Sequence, residues 1–210
     1  MKKEHKFFER YLDNDLNSLY DYLVDIQDKM LSENIFNIEP DKLKVFGKFN
    51  GPSTQLGMEY NVFNLDHPGI QELHKGLKNA VMEASEYYGF NFEEQNYIVH
   101  GWFNLDYATQ GANVVSPLKK NDHFHDHMGG EGAPVFHGYY CVYAEPSITY
   151  YKINNTEPIF ENINKNNRLI VSETGHPHGR DDWYDEKPRI TIAYDIMPKG
   201  NDDIVNWITL

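Results

Sequence analysis

Phe136-His137-Gly138-Tyr139-Tyr140-Cys141-Val142-Tyr143 is crowded with aromatic and apolar side chains, the composition of a strand rather than of a surface helix. Working outward, residues 97–103, 148–151, 168–171 and 189–194 have the same character. Turn-forming pairs such as Asn121-Asp122 and Asn154-Asn155 lie between them. Short strands at this spacing predict a mainly β fold built from two sheets. Two helical patterns precede them. From Asp15, a plausible N-cap, the apolar residues Leu16, Leu19, Tyr20, Leu23, Ile26 and Met30 keep helical spacing, with Asp25, Gln27, Asp28 and Lys29 largely opposite. A second stripe, Ile70, Leu73, Leu77, Val81, Ala84 and Tyr88, is predicted to start at Asp66 as N-cap with Pro68 in its first turn, and to stop at Gly89. Both stripes read as core-facing, so the helices are expected to pack on one sheet.

The 210 residues suit one domain, with residues 1–92 as helical support, 93–198 as the β core and 199–210 as a tail. Hydrophobic content of 40% and charged content of 24% exclude a wholly disordered chain. The formal charge of -13 argues against a direct nucleic-acid partner, because phosphates need cations to neutralise them. Cys141 is the single cysteine, which leaves no intramolecular disulfide and no cysteine-built zinc site. No apolar run is long enough for a membrane helix, and the basic start Met1-Lys2-Lys3 is not followed by a signal-type apolar stretch. A cytoplasmic protein is the expectation.

Seven of the ten histidines fall in the β half, six of them beyond its first strand at 123, 125, 127, 137, 176 and 178. In an extended Asn121-Asp122-His123-Phe124-His125-Asp126-His127, the three imidazoles project from one face, because strand side chains alternate. Converging imidazoles are common ligands for a first-row metal. The second cluster, His176-Pro177-His178, could supply a distal ligand from another strand. A run of this kind can also be an exposed loop that binds metal adventitiously. His5, His67, His74, His100 and His137 read as structural. Arg189 opens the last strand eleven residues after His178, and Thr191 shares its face. A guanidinium and a hydroxyl so placed can grip a carboxylate; a rim ion pair with Asp181, Asp182, Asp185 or Glu186 would explain the arginine equally.

These motifs resemble the 2-oxoglutarate/iron(II)-dependent oxygenases, and within them a group frequent in tailed bacteriophages. The resemblance runs over about residues 43–196, through Trp102-Phe103-Asn104, the His123–His127 run, His137-Gly138-Tyr139-Tyr140, Leu169-Ile170-Val171 leading to Pro177-His178, and Arg189-Ile190-Thr191. It implies a double-stranded β-helix (a jelly roll, cupin-like) with Fe(II) at its open end, O2 as oxidant and 2-oxoglutarate as co-substrate. Oxidative decarboxylation of 2-oxoglutarate would be coupled to hydroxylation of a small-molecule or peptidyl substrate, in the host-cell cytoplasm if the chain is phage-encoded. Carried onto this sequence, the metal ligands are His125, His127 and His178. Arg189, Thr191 and Tyr140 would hold the co-substrate. The sequence departs from the wider superfamily in lacking His-x-Asp, and His123/His125 is a second possible register. A ligand from Asp126 would need a local bulge. The Gly-rich segment from Met128 to Pro134 could be a lid, and Tyr107, Tyr150, Tyr151 and Trp183 could line a pocket. Other classes compete: a three-histidine dioxygenase of the cupin type without 2-oxoglutarate, a non-catalytic jelly-roll binding module, and a zinc hydrolase using Asp126 or Glu131 as base.

Overall fold

In the computed structural model, which describes residues 4–33, 61–108, 124–127, 135–153, 160–200 and 206–210, two antiparallel sheets face each other and helices flank the larger one. The strands are β1 (Phe8–Tyr11), β2 (Tyr97–Asp106), β3 (Phe136–Tyr143), β4 (Ile148–Tyr151), β5 (Phe160–Ile163), β6 (Arg168–Glu173), β7 (His178–Arg180), β8 (Arg189–Pro198) and β9 (Ile208–Thr209). The helices are α1 (Leu16–Glu33), α2 (Pro68–Tyr88) and the short α3 (Phe92–Gln95). The large sheet runs β1-β6-β3-β8-β2-β9 and the small one β5-β4-β7. Neither closes into a barrel among the described residues. No helix among them is long and apolar enough to cross a membrane.

The two predicted helices form where the sequence places them, with local differences, whereas the short α3 is not anticipated by it. The Asp15 carboxylate accepts from the Ser18 amide at 3.1 Å, satisfying one of the free donors of the first turn of α1. At α2 the cap is His67 rather than Asp66: its Nδ1 accepts from the Gly69 amide at 3.0 Å, and Pro68 takes the first helical position. Gly89 ends the helix at φ 83°, the left-handed conformation in which a missing Cβ removes the steric cost. Gln27 is buried although it lies among residues expected to face outward.

Period two in the strands then sorts the side chains. On one face of the large sheet, Val99, Phe103, Leu105, Phe136, Tyr140, Val142, Leu169, Val171, Ile190, Ile192 and Ile196 pack with Leu19, Leu23, Ile70, Leu73, Leu77 and Val81 of α1 and α2. Burying each leucine of that layer contributes about 1.5–3 kcal/mol. The opposite face carries the residues of other parity and looks toward the small sheet. The strands at the ends of the large sheet come from segments expected as helical support and tail: β1 pairs with β6, and β9 with β2.

Gly138 marks the tightest approach in the large sheet. A Cβ there would overlap the Ile170 carbonyl oxygen of the neighbouring strand and stand 2.8 Å from Tyr194 Cε2. Main chain cannot retreat as a flexible side chain can. Gly138→Ala should therefore lower unfolding free energy by about 3 kcal/mol or more, at the upper end of overpacking costs, measured by urea denaturation.

Candidate metal centre

Register sets the inner wall of the site. Strand β8 lies between β2 and β3, and pairs Arg189 with Asp106, Thr191 with Asn104 and Cys141, Ala193 with Trp102 and Tyr139, and Asp195 with His100 and His137. The opposite wall comes from β4 and β7, through Thr149, His178 and Arg180. Between the walls is a cavity of about 420 Å³. His125, His127, His137, Arg189 and Thr191 also line it.

The segment 124–127 contributes His125 and His127 to the lining of this cavity and is tied to β7 by main chain. His125 donates its amide to the His178 carbonyl at 3.0 Å, and His178 donates back at 2.8 Å. That two-bond bridge brings side chains more than fifty positions apart in sequence together. One ring nitrogen from each of His125, His127 and His178 lies within 4.8 Å of the others. Burial, then the neighbouring His125 and His127, push His178 down to about 3. A neutral imidazole keeps a lone pair for a metal, so the donor chemistry suits a first-row divalent ion. Asp126 is exposed and lies outside this cluster. His123, Glu131 and the segment from Met128 to Pro134, on which the alternative register and the expected lid rest, fall outside the described residues.

Two further residues belong to the centre that sequence reading assigned to structure or did not single out. The His137 ring sits 4.7 Å from that of His178 and 5.2 Å from that of His127, and its Nε2 is hydrogen-bonded with Ser172 Oγ at 3.0 Å. Full burial, then the nearby His178, hold it well below its ordinary value. Asp195 Oδ1 is 2.7 Å from His127 Nδ1. The contact is a close ion-pair approach without hydrogen-bond geometry, and a carboxylate so near one ring nitrogen leaves the other for a metal. Asp195 lies on the same strand face as Arg189 and Thr191, and that parity was a usable signal.

At the far end of the β8 face, Arg189 is 2% exposed. Its Nη1 is 3.4 Å from Asp106 Oδ2, while Arg180 Nη2 donates to Asp106 Oδ1 at 2.5 Å. Its partner is thus Asp106, from the neighbouring strand, rather than the acidic loop residues 181–186 considered from sequence. Asp106 bridges the two guanidiniums, and Asp181 and Asp182 also lie close enough to act on Arg180. The Arg189 Nε is buried with no hydrogen-bond partner. A buried, unsatisfied charged donor costs free energy unless something completes it, and an anion in the cavity would do so.

Tyr140 is corrected. It sits on the helix-facing side of β3 with its hydroxyl donating to Asn167 Oδ1 at 2.5 Å and accepting from Asn14 Nδ2 at 2.9 Å. The cavity is lined instead by Tyr139. Tyr107, Tyr150, Tyr151 and Trp183, offered as pocket aromatics, are not among the cavity's lining residues; Tyr151 and Trp183 are buried and Tyr107 is exposed.

No family model matches this chain, and no curated protein does. Among solved structures, the 2-oxoglutarate binary complex of AtDAO1 (dioxygenase for auxin oxidation 1 from Arabidopsis thaliana) is similar with a TM-score of 0.43 and 9% identity. The similarity covers 64% of this chain and 52% of that one, so the chain spans about half the length of that structure.

Proposed function

We propose that this protein is an Fe(II)- and 2-oxoglutarate-dependent oxygenase that hydroxylates a small-molecule or peptidyl substrate. The observation that carries the reading is one cavity lined by both a three-imidazole donor cluster and a buried arginine with an unanswered Nε–H. We read the two sheets as the walls of a double-stranded β-helix. From β2 to β8 the chain alternates between them: β2 in the large sheet, the His125 bridge on the small one, β3 large, β4 and β5 small, β6 large, β7 small and β8 large.

In this reading His125, His127 and His178 would hold Fe(II), which when bound supplies the activation of O2 that oxidises 2-oxoglutarate and a substrate C–H bond. Every other task falls to the polypeptide. Asp195 steadies the His127 ring. Arg189 donates through Nε to the far carboxylate of 2-oxoglutarate, with the Thr191 hydroxyl beside it. Asp106 keeps the Arg189 fork in place, and Arg180 offsets the charge of Asp106. Trp102 and Tyr139 form apolar wall and limit water around the reacting groups.

The test is anaerobic addition of 2-oxoglutarate to the Fe(II)-loaded protein, followed by O2. A visible charge-transfer band that needs both components, and then succinate release, are expected. No band and no succinate above that of free iron would remove the assignment. A donor cluster of three imidazoles with no carboxylate favours a second reading, a cupin-type dioxygenase in which Arg189 binds a substrate carboxylate directly. That enzyme would consume O2 with its substrate while releasing no succinate.

A further inference from the structure

The geometry points to a second metal site, for a zinc-like divalent cation, formed by His5, Glu173 and His176. These residues contribute nothing to the cavity lining, and of the three only His176 enters the sequence reading as a ligand candidate, within the His176-Pro177-His178 cluster. One donor atom from each lies within 4.8 Å of the other two. The His5 and His176 rings meet edge to face at 4.1 Å between centroids. Both ring nitrogens of His5 are buried without a hydrogen-bond partner, which is costly for an imidazole in protein interior. A cation satisfies one of them and makes use of the Glu173 charge.

Local structure explains how the three converge. Glu173 is the last residue of β6, and Gly175 turns the chain at φ 90°, a conformation that disfavours a side chain. That turn folds His176 back toward Glu173. His5 arrives from the segment before β1, which pairs with β6 and so is held alongside it. His5 packs edge-on against Phe7, and Phe7 against Tyr151 and Phe160, so aromatic rings back the site on one side. Zinc bonded to nitrogen and oxygen at about 2.0–2.2 Å in a tetrahedron needs donors roughly 3.4 Å apart, so closing this cluster takes a shift of at most about 1.4 Å. Two neutral imidazoles and one carboxylate around a divalent ion leave one positive charge, which a chain of net charge -13 accommodates. The ion would staple the amino-terminal segment to the loop that ends at His178, and so hold that histidine in place from outside the cavity.

Metal content of the full chain decides this, using Zn2+ and Co2+ alone as probes after chelator stripping, reloading and desalting. Two ions per chain are expected for the unsubstituted protein. His5→Ala and the near-isosteric Glu173→Gln should each lose one, His125→Ala the other, and His5→Ala with His125→Ala both. Unchanged metal content in both His5→Ala and Glu173→Gln would overturn the site. So would a single ion that His125→Ala removes and His5→Ala retains. A single ion with the opposite behaviour upholds the amino-terminal site and instead removes the metal assignment of the cavity. Cobalt absorption gives a second readout: a visible band lost in His5→Ala and kept in His125→Ala belongs to this site.

Discussion

Arg189→Ala is expected to abolish detectable 2-oxoglutarate binding while the protein keeps its metal. The fork is buried, its Nε–H is unanswered, and its neighbour Asp106 is held from the other side by Arg180. Losing a desolvated partner of a charged ligand costs about 2–5 kcal/mol, roughly thirty- to several-thousand-fold in Kd. Arg189→Lys should recover only part of this, because an ammonium cannot present the same planar fork. Truncation also strips Asp106 of one of its two cations, so lost binding could reflect a disturbed wall. Pairing Arg189→Met with Asp106→Asn removes charge and countercharge together and separates the causes. That double variant should melt near the parent temperature and still fail to give the 2-oxoglutarate band. Parent-like affinity in both Arg189→Ala and the double variant would end the role of Arg189 as co-substrate anchor. Metal content equal to the parent's would show that the effect is confined to the anion end of the cavity.

Helices were readable here because their stripes are long. Leu73, Leu77, Val81 and Ala84 recur at a spacing that only a helix converts into one buried face, and they are buried. The error at the start of α2 is one residue wide and chemical in origin: an imidazole nitrogen performs the acceptor role usually given to a carboxylate, while Asp66 Oδ1 accepts from Gln71 Nε2. The strands that escaped notice are the short ones. In β5 three of four residues are exposed, and β9 is two residues long; neither buries enough to leave an alternating pattern. Their positions follow from the sheets they complete rather than from their own composition.

The site divides along the same line. Within one strand, parity is visible: Arg189, Thr191 and Asp195 share a face because they are even steps apart. Between strands, parity depends on register, which no single segment encodes. Tyr139 and Tyr140 are equally good strand residues, and only the pairing of Tyr139 with Ala193 turns the first toward the cavity and the second toward the helices. The same register brings His137, which reads as structural, beside His178. Asp106 is a cross-strand partner of Arg189 by that register alone. The histidines at 125, 127 and 178 stood out by density and type. Their convergence required the main-chain bridge between His125 and His178, and a bridge of one residue pair has no signature in sequence.

His178→Ala is expected to lose the cavity metal without losing the scaffold. The bridge that aligns the two segments uses the amide and carbonyl of His178, both of which alanine retains. What disappears is one of three donors, together with ring contacts to His125 at 4.5 Å and to Tyr151 at 5.4 Å. Removing an outer-shell partner already costs 10–100-fold in metal affinity, so Asp195→Asn should fall within about that range. Deleting a direct ligand should exceed it, with cobalt affinity down by more than about a hundredfold. The vacated space matches an imidazole, and added imidazole should restore part of the cobalt spectrum; a general collapse of the site would admit no such rescue. The apoprotein should lose little heat stability relative to the parent apoprotein, because alanine keeps the main-chain bridge and gives up only the ring's packing contacts. The measurement belongs in a His5→Ala background, where an ion at the amino-terminal cluster cannot be counted by mistake. Stoichiometric, parent-affinity cobalt in that background would exclude His178 as a ligand, and the distal half of the proposed centre would have to be rebuilt around His137.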